Sequence, residues 1–239
     1  MNPRTAMVVG GSRGLGRGIA LALSEAGARV VTVARHPAPA AGLIAETGDA
    51  TGTGVAELLL GRHRPEVLVI AAGVVPSMAA LPEYTWEAFS AAWEQDVRIA
   101  FTWLGAVLRR PLAPGSVVVV LGSAASLKGS PLSGGYAGAK ATVRHITAYA
   151  RGQAHGTGVT FTTVLPALAP GTAVGRTAVR AYAGRQGISD AEFAARLPAP
   201  LTPEVAGTSV VRLVAGPADR IAEAYLLDGA GLHELPHAR

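Results

Sequence analysis

The chain of 239 residues contains no cysteine. Disulfide frameworks, thiolate metal sites and thiol nucleophiles are therefore excluded. Charged residues amount to only 15% and aromatic residues to 5%, against 49% hydrophobic. That balance excludes a disordered chain. The longest apolar run, Val67 to Val75, spans about nine residues, whereas a membrane-spanning helix needs roughly 20. No basic-then-apolar leader opens the sequence, so a cytoplasmic protein with no membrane partner is expected. Lysine is nearly missing: among 21 basic residues only Lys128 and Lys140 are lysines. A formal charge of +5 could suit nucleic acid, but the arginines are scattered from Arg4 to Arg239 without a dense block. No nucleic-acid partner is expected. Six scattered histidines suggest no metal site. In a chain that chooses arginine almost everywhere, each lysine asks for a reason.

What the sequence does have is alternation. Apolar, β-rich runs occur at Ala6–Val9, Arg29–Ala34, Leu43–Ala45, Val67–Ala71, Ser116–Leu121, Val159–Leu165 and Ala224–Leu227. They are continuous rather than alternating, as strands covered on both faces should be. Helical patterns lie between them, at Gly14–Ala26, Val55–Arg62, Trp86–Arg109, Gly134–Ala154 and Pro203–Ala215. This order implies an α/β fold: a Rossmann-like, doubly wound parallel sheet of about seven strands with helices on both faces. With no repeat or break in composition, residues 1–239 read as one dinucleotide-binding catalytic domain. The stretch 166–200, rich in Gly, Pro and Ala, comes after the sixth strand and is expected to cover a substrate pocket.

After the first strand comes MVVGGSRGLGRGIALALSEAG, in which Gly10, Gly14 and Gly16 form G-x-x-x-G-x-G. Such a loop lets backbone turn sharply and approach a pyrophosphate, with the positive end of a helix facing the phosphates. Sites that prefer NAD often carry an acid at the end of the second strand to hold the ribose 2′-hydroxyl. Here Ala34 and Arg35 stand there, and Arg13 projects from the glycine loop. Two guanidiniums suit a ribose 2′-phosphate, at roughly 1.5–3 kcal/mol per charge-assisted hydrogen bond. NADPH/NADP+ is the expected cofactor.

Tyr136 and Lys140 are four apart, so on a helix they share a face. A nearby ammonium favours a phenolate, making Tyr136 a usable general acid or base. Ser123, at the end of a buried strand, can donate a hydrogen bond to a substrate carbonyl oxygen.

With these motifs in hand, the chain resembles the short-chain dehydrogenase/reductase family over essentially its whole length. Val9-Gly10…Gly14-Leu15-Gly16 is similar to the family's first motif, and Ser123, Tyr136 and Lys140 to its S…Y-x-x-x-K set. Asp49 matches the acid after the third strand that contacts adenine, and Asp228-Gly229 the closing motif. The resemblance implies cofactor contacts from Gly10, Ser12, Arg13, Gly14, Leu15 and Gly16, from Arg35, Asp49 and Ala50, from Ala72 and Gly73, and from Tyr136, Lys140 and Pro166. It implies that Tyr136 donates a proton to a carbonyl oxygen while the nicotinamide delivers hydride. Lys140 would bind the nicotinamide ribose and Ser123 orient the substrate. Members of the family commonly pair through the helices that correspond to Trp86–Arg109 and Gly134–Ala154, so a homodimer or homotetramer is expected.

Departures from the family pattern matter as much. Ile70-Ala71-Ala72-Gly73 stands where the family has N-N-A-G, and Pro166-Ala167 where it has P-G. Only 14 positions separate Arg35 from Asp49, so the helix usually found there looks truncated. Aligned on Phe101, the family's catalytic asparagine, which holds a water leading from the lysine to solvent, falls at Asp96. A carboxylate there would stabilise the ammonium of Lys140 and weaken proton release. The expected activity is an NADPH-dependent oxidoreductase interconverting a carbonyl and an alcohol. The alternatives are a non-redox enzyme of the same fold (epimerase, dehydratase or cyclase) and a non-catalytic NADP(H)-binding protein.

Overall fold

TAMVV is apolar from Ala6 to Val9, and as strand β1 (Thr5–Val9) it is buried along that stretch on both faces. In the computed structural model, which describes residues 4–236, β1 lies inside an eight-stranded sheet. The other strands are β2 (Arg29–Ala34), β3 (Leu43–Thr47), β4 (Val67–Ile70), β5 (Val117–Leu121), β6 (Thr160–Pro166), β7 (Ala224–Asp228) and β8 (Gly231–Glu234). Their order is β3-β2-β1-β4-β5-β6-β7-β8. All neighbours are parallel except β7 and β8. The direction of winding reverses between β1 and β4, which opens a crevice at the carboxyl ends of the strands.

The larger helices are α1 (Gly14–Glu25), α2 (Thr53–His63), α3 (Trp86–Ala92), α4 (Arg98–Arg109), α5 (Ala125–Lys128), α6 (Gly134–Gln153), α7 (Ala173–Gln186), α8 (Asp190–Ala195) and α9 (Pro203–Ala215). Successive strand residues point to opposite layers. Ala6 and Val8 join Ile19 and Leu23 of α1 and Val210 of α9 in one core. Met7 and Val9 join Leu59 of α2, Trp103 of α4 and Val143 of α6 in the other.

Two details differ from expectation within the expected fold. The sheet has eight strands rather than about seven. The Asp228 carboxylate accepts from the Ala230 amide at 2.8 Å, and Gly231 adopts φ of 118°, a tight turn that brings β8 back antiparallel on β7. GLHE carries no alternating apolar pattern, so this edge strand left no periodic signal. The long helix expected over Trp86–Arg109 is broken: a π-helical turn at Trp93–Val97 separates α3 from α4. Each i→i+5 step under-winds the helix and re-aims α4, a device that occurs frequently at functional sites. Of its three tryptophans only Trp103 is core; Trp86 and Trp93 are 73% and 50% exposed.

The truncation between β2 and β3 is complete, because residues 35–42 carry no helix. The loop lies on α1 instead, with Arg17 donating to the Ala38 carbonyl at 3.1 Å and Ser24 to that of Gly42 at 3.2 Å. The segment 166–200, rich in Gly, Pro and Ala, folds into α7 and α8, each opened by a hydroxyl cap from Thr172 and Ser189. Among the described residues no helix is long and apolar enough to cross a membrane.

Candidate active site

The crevice begins at the loop between β1 and α1. Gly10 sits at φ of +87°, and a Cβ there would come within 2.5 Å of the Ala72 amide nitrogen. Any other residue would be strained in conformation and would press on the neighbouring strand end. The extended residue before α1, Arg13, offers no side-chain cap, which leaves the first amides of the helix directed at the cavity. Thr172, the cap of α7, closes over Gly14 from the opposite wall.

From this loop a cavity of about 710 Å³ runs across the carboxyl ends of the strands. Every site residue read from the sequence lines it: Gly10, Ser12, Arg13, Gly14, Leu15, Gly16, Arg35, Asp49, Ala50, Ala72, Gly73, Asp96, Ser123, Tyr136, Lys140 and Pro166. At one end, Asp49 accepts hydrogen bonds from the amide and hydroxyl of Thr51 at 2.9 and 2.8 Å. Those bonds, with weaker help from the charges of Arg35 and Arg98, hold its carboxyl below the usual range. Trp103 fixes the same corner from beneath, donating its indole N–H to the Ala50 carbonyl at 2.9 Å.

At the other end stand Ser123, just past β5, and Tyr136 and Lys140 on α6. Ser123 Oγ accepts from the Ala125 amide at 3.2 Å, and its own proton is free to point into the cavity. The ammonium of Lys140 lies 5.7 Å from the centre of the Tyr136 ring and donates to the Leu121 carbonyl at 3.3 Å. Its partner is Asp96, carried by the π-turn, whose Oδ2 is 3.0 Å from Nζ. The side chains of Lys140 and Asp96 are 8% and 1% exposed. The Lys140 ammonium is what compensates the burial of Oδ2. Oδ1 accepts from the Val74 amide at 2.9 Å. The carboxylate therefore braces the chain after β4, where the family's motif would supply asparagine amides. A Cβ on Gly73 would stand 3.0 Å from both carboxylate oxygens, so a side chain there would press on the pair.

Burial by itself would push the Lys140 ammonium down. The opposing charge of Asp96, followed by Tyr136, more than offsets it, and the lysine is raised above its ordinary value. Lys140 is therefore held as an ammonium, as anticipated for a carboxylate at position 96.

Sequence reasoning missed Ser133 and Tyr182, which also line the cavity. Ser133 precedes α6 and is 4% exposed, and its hydroxyl shares a hydrogen bond with the phenol of Tyr182 on α7. No spacing in the sequence links residues so far apart. Thr172 could have been found, as a hydroxyl residue opening a helical pattern.

The comparisons agree with this architecture. The family model described as enoyl-(acyl carrier protein) reductase matches residues 9–221. The chain belongs to that family and is a short-chain dehydrogenase/reductase with a Rossmann-like fold, in a family of oxidoreductases that use nicotinamide cofactors. No curated protein matches it in sequence. Among solved structures, a short-chain dehydrogenase family protein from Francisella tularensis subsp. tularensis is similar at 19% identity and a TM-score of 0.81, covering 95% of this chain and 98% of that one. An actinorhodin polyketide ketoreductase variant with NADPH is 24% identical, with a TM-score of 0.78 and coverage of 95% and 97%. Serine dehydrogenase complexed with NADP+ is 20% identical, with a TM-score of 0.77 and coverage of 98% and 99%. At these identities the likeness is one of fold.

The cavity suits a nicotinamide dinucleotide on its own chemistry. Uncapped helix amides and a glycine cradle face the pyrophosphate position. Cationic side chains line the Arg35 end, and a buried ammonium stands at the Tyr136 end.

Proposed function

We propose that the protein is an NADPH-dependent reductase of a ketone or aldehyde, acting also in the reverse direction on the alcohol. The observation that carries this reading is the convergence of Ser123, Tyr136 and Lys140 in one cavity with the glycine loop. When bound, the nicotinamide supplies the hydride that reduces the carbonyl carbon. The Ser123 hydroxyl donates to the carbonyl oxygen and fixes its direction. Tyr136 gives its phenolic proton to the same oxygen, which completes the alcohol and leaves a phenolate. The Lys140 ammonium stabilises that negative charge, and Asp96 holds the ammonium in place. Arg13 and Arg35 line the cavity beside Asp49, where a 2′-phosphate would meet two guanidiniums and no competing acid at the end of β2.

The same reading includes self-association in the cytoplasm as a homodimer or homotetramer. Its support is the face of α4 and α6, where Phe101 and Tyr149 are 67% and 63% exposed. A non-redox reaction on this scaffold is the second reading. The Asp96–Lys140 pair favours it, because a lysine held by a carboxylate gives up its proton less readily.

The test is Tyr136→Phe, assayed by NADPH oxidation over a panel of ketones and aldehydes. Turnover should fall at least about a thousandfold, within the range for a positioned acid, while NADPH still binds. Undiminished turnover would remove Tyr136 from the chemistry. Tight NADPH binding without oxidation by any carbonyl would turn the reading to the non-redox class.

A further inference from the structure

Two groups of hydroxyls share the same cavity. Ser123 and Tyr136 are accounted for by the reacting oxygen; Ser130, Ser133 and Tyr182 are not. Ser133 lies one helical turn before Tyr136 at the head of α6, so the second group adjoins the first along the cavity wall. Tyr182 comes from the opposite side, on α7, and its ring is fixed by stacking on Phe193 of α8, with centroids 6.0 Å apart and planes 15° from parallel. Ser133 and Tyr182 engage each other, and Ser130 Oγ accepts from the Leu132 amide at 3.3 Å. A hydroxyl can both donate and accept, so this group keeps capacity for a further oxygen. Neighbouring polar groups are held by backbone carbonyls. Tyr84 Oη is 2.8 Å from the carbonyl oxygens of both Ser77 and Leu132, and Arg176 donates to the Gly171 carbonyl at 2.7 Å.

We propose that Tyr182, with Ser133 and Ser130, forms a subsite for a second, uncharged oxygen function on the substrate, such as an ester, oxo or hydroxyl oxygen. The inference rests on the carbonyl-reductase reading for the identity of the first oxygen. Three neutral hydroxyls lining one cavity can each donate or accept, which suits a carbonyl or hydroxyl oxygen, and none of them brings the positive charge that would favour an anion. Burial of Tyr182 raises its phenol, so it remains a neutral donor across the physiological range. The stack on Phe193 restrains the ring and so places the phenol oxygen, and a pre-positioned donor selects more sharply than a mobile one. Tyr182 is thus a specificity-determining residue placed by the fold of the lid.

The probes are methyl acetoacetate and its hydrocarbon isostere, in which the ester carbonyl and ether oxygens are replaced by carbon. Wild type and Tyr182→Phe, which keeps the stacking ring, are compared by kcat/KM for both ketones. Binding of both to the NADP+-loaded proteins is monitored in parallel by ligand-observed NMR. The wild type should prefer the keto ester about tenfold, the equivalent of about 1.4 kcal/mol. Tyr182→Phe should lose that preference while handling the isostere unchanged. Equal losses on both probes would mean that Tyr182 only latches the lid, and would overturn the subsite. No preference in the wild type would overturn it as well. Binding preference without any turnover would leave the subsite standing and count against the reductase reading instead.

Discussion

Replacing Asp96 by asparagine changes one atom's charge in the least solvated part of the site. The side chain stays the same shape and can still accept from Val74, but an amide group would face the Lys140 ammonium across 3.0 Å. At that distance, and with an effective dielectric near 20, the lost attraction is about 5 kcal/mol. Both side chains are almost fully buried, at 1% and 8% exposure, so solvent screens little of it. Removing one member of a buried pair typically costs about 3–5 kcal/mol, and we expect Asp96→Asn to lose that much stability in urea unfolding at pH 7. That would be a large share of the roughly 5–15 kcal/mol that hold most domains folded. Lys140 sets the sign of the pH dependence. Its folded value lies above the ordinary 10.5, so its stabilisation is fully present below 10.5 and is lost as pH rises through the higher folded value. The gap between wild type and variant should narrow with rising pH, first as the variant's Lys140 titrates below 10.5 and then as the wild-type lysine titrates above it. Lysine-selective NMR gives a direct readout, because the chain has only Lys128 and Lys140. Lys128 is exposed and serves as the reference. Once Asp96 loses its charge, burial outweighs the remaining help from Tyr136, and Lys140 should titrate at lower pH than in the wild type. An unchanged Lys140 titration, or a stability loss below about 1 kcal/mol, would refute the account of the pair.

Arg13→Ala and Arg35→Ala should each raise the KM for NADPH by about tenfold to a hundredfold, the loss of one charge-assisted hydrogen bond. NADH kinetics should barely change; equal losses with both cofactors would place the arginines elsewhere than the 2′-phosphate. Glu46→Gln should destabilise the protein at neutral pH, since hydrogen bonding from His63 at 2.7 Å, and then Arg62, keeps Glu46 below its ordinary 4.5. That stabilisation is present above 4.5 and disappears as pH falls through the lower folded value, so the two proteins should converge in acid unfolding. Phe101→Glu, on the exposed face of α4, should shift the protein to monomer in light scattering; an unchanged mass would put any interface elsewhere.

Much of the fold was written in local chemistry. A strand covered on both faces is dominated by apolar and β-branched residues, and the runs that became β1, β2, β4, β5 and β6 announced themselves on that ground. Gly10 was legible because a positive φ and a close backbone approach leave no other residue unstrained. Lys140 stood out because arginine replaces lysine nearly everywhere else, and the four-residue spacing to Tyr136 placed both on one helical face. Position 96 could be found by counting from Phe101.

What Asp96 touches could not. Its contact with Lys140 bridges 44 positions of sequence and depends on a π-turn that no periodicity disclosed, because under-winding by a fraction of a turn leaves the apolar pattern nearly intact. The edge strand β8 was equally silent, being short and stabilised by what it packs against. The pairing of Tyr182 with Ser133 exists only once α7 has folded over the cavity. The sequence by itself therefore determined which chemical groups the site holds and where the dinucleotide loop begins. The tertiary structure decided which charges cancel and which hydroxyls are left to meet a substrate, because those outcomes rest on distances between elements that the chain order leaves free.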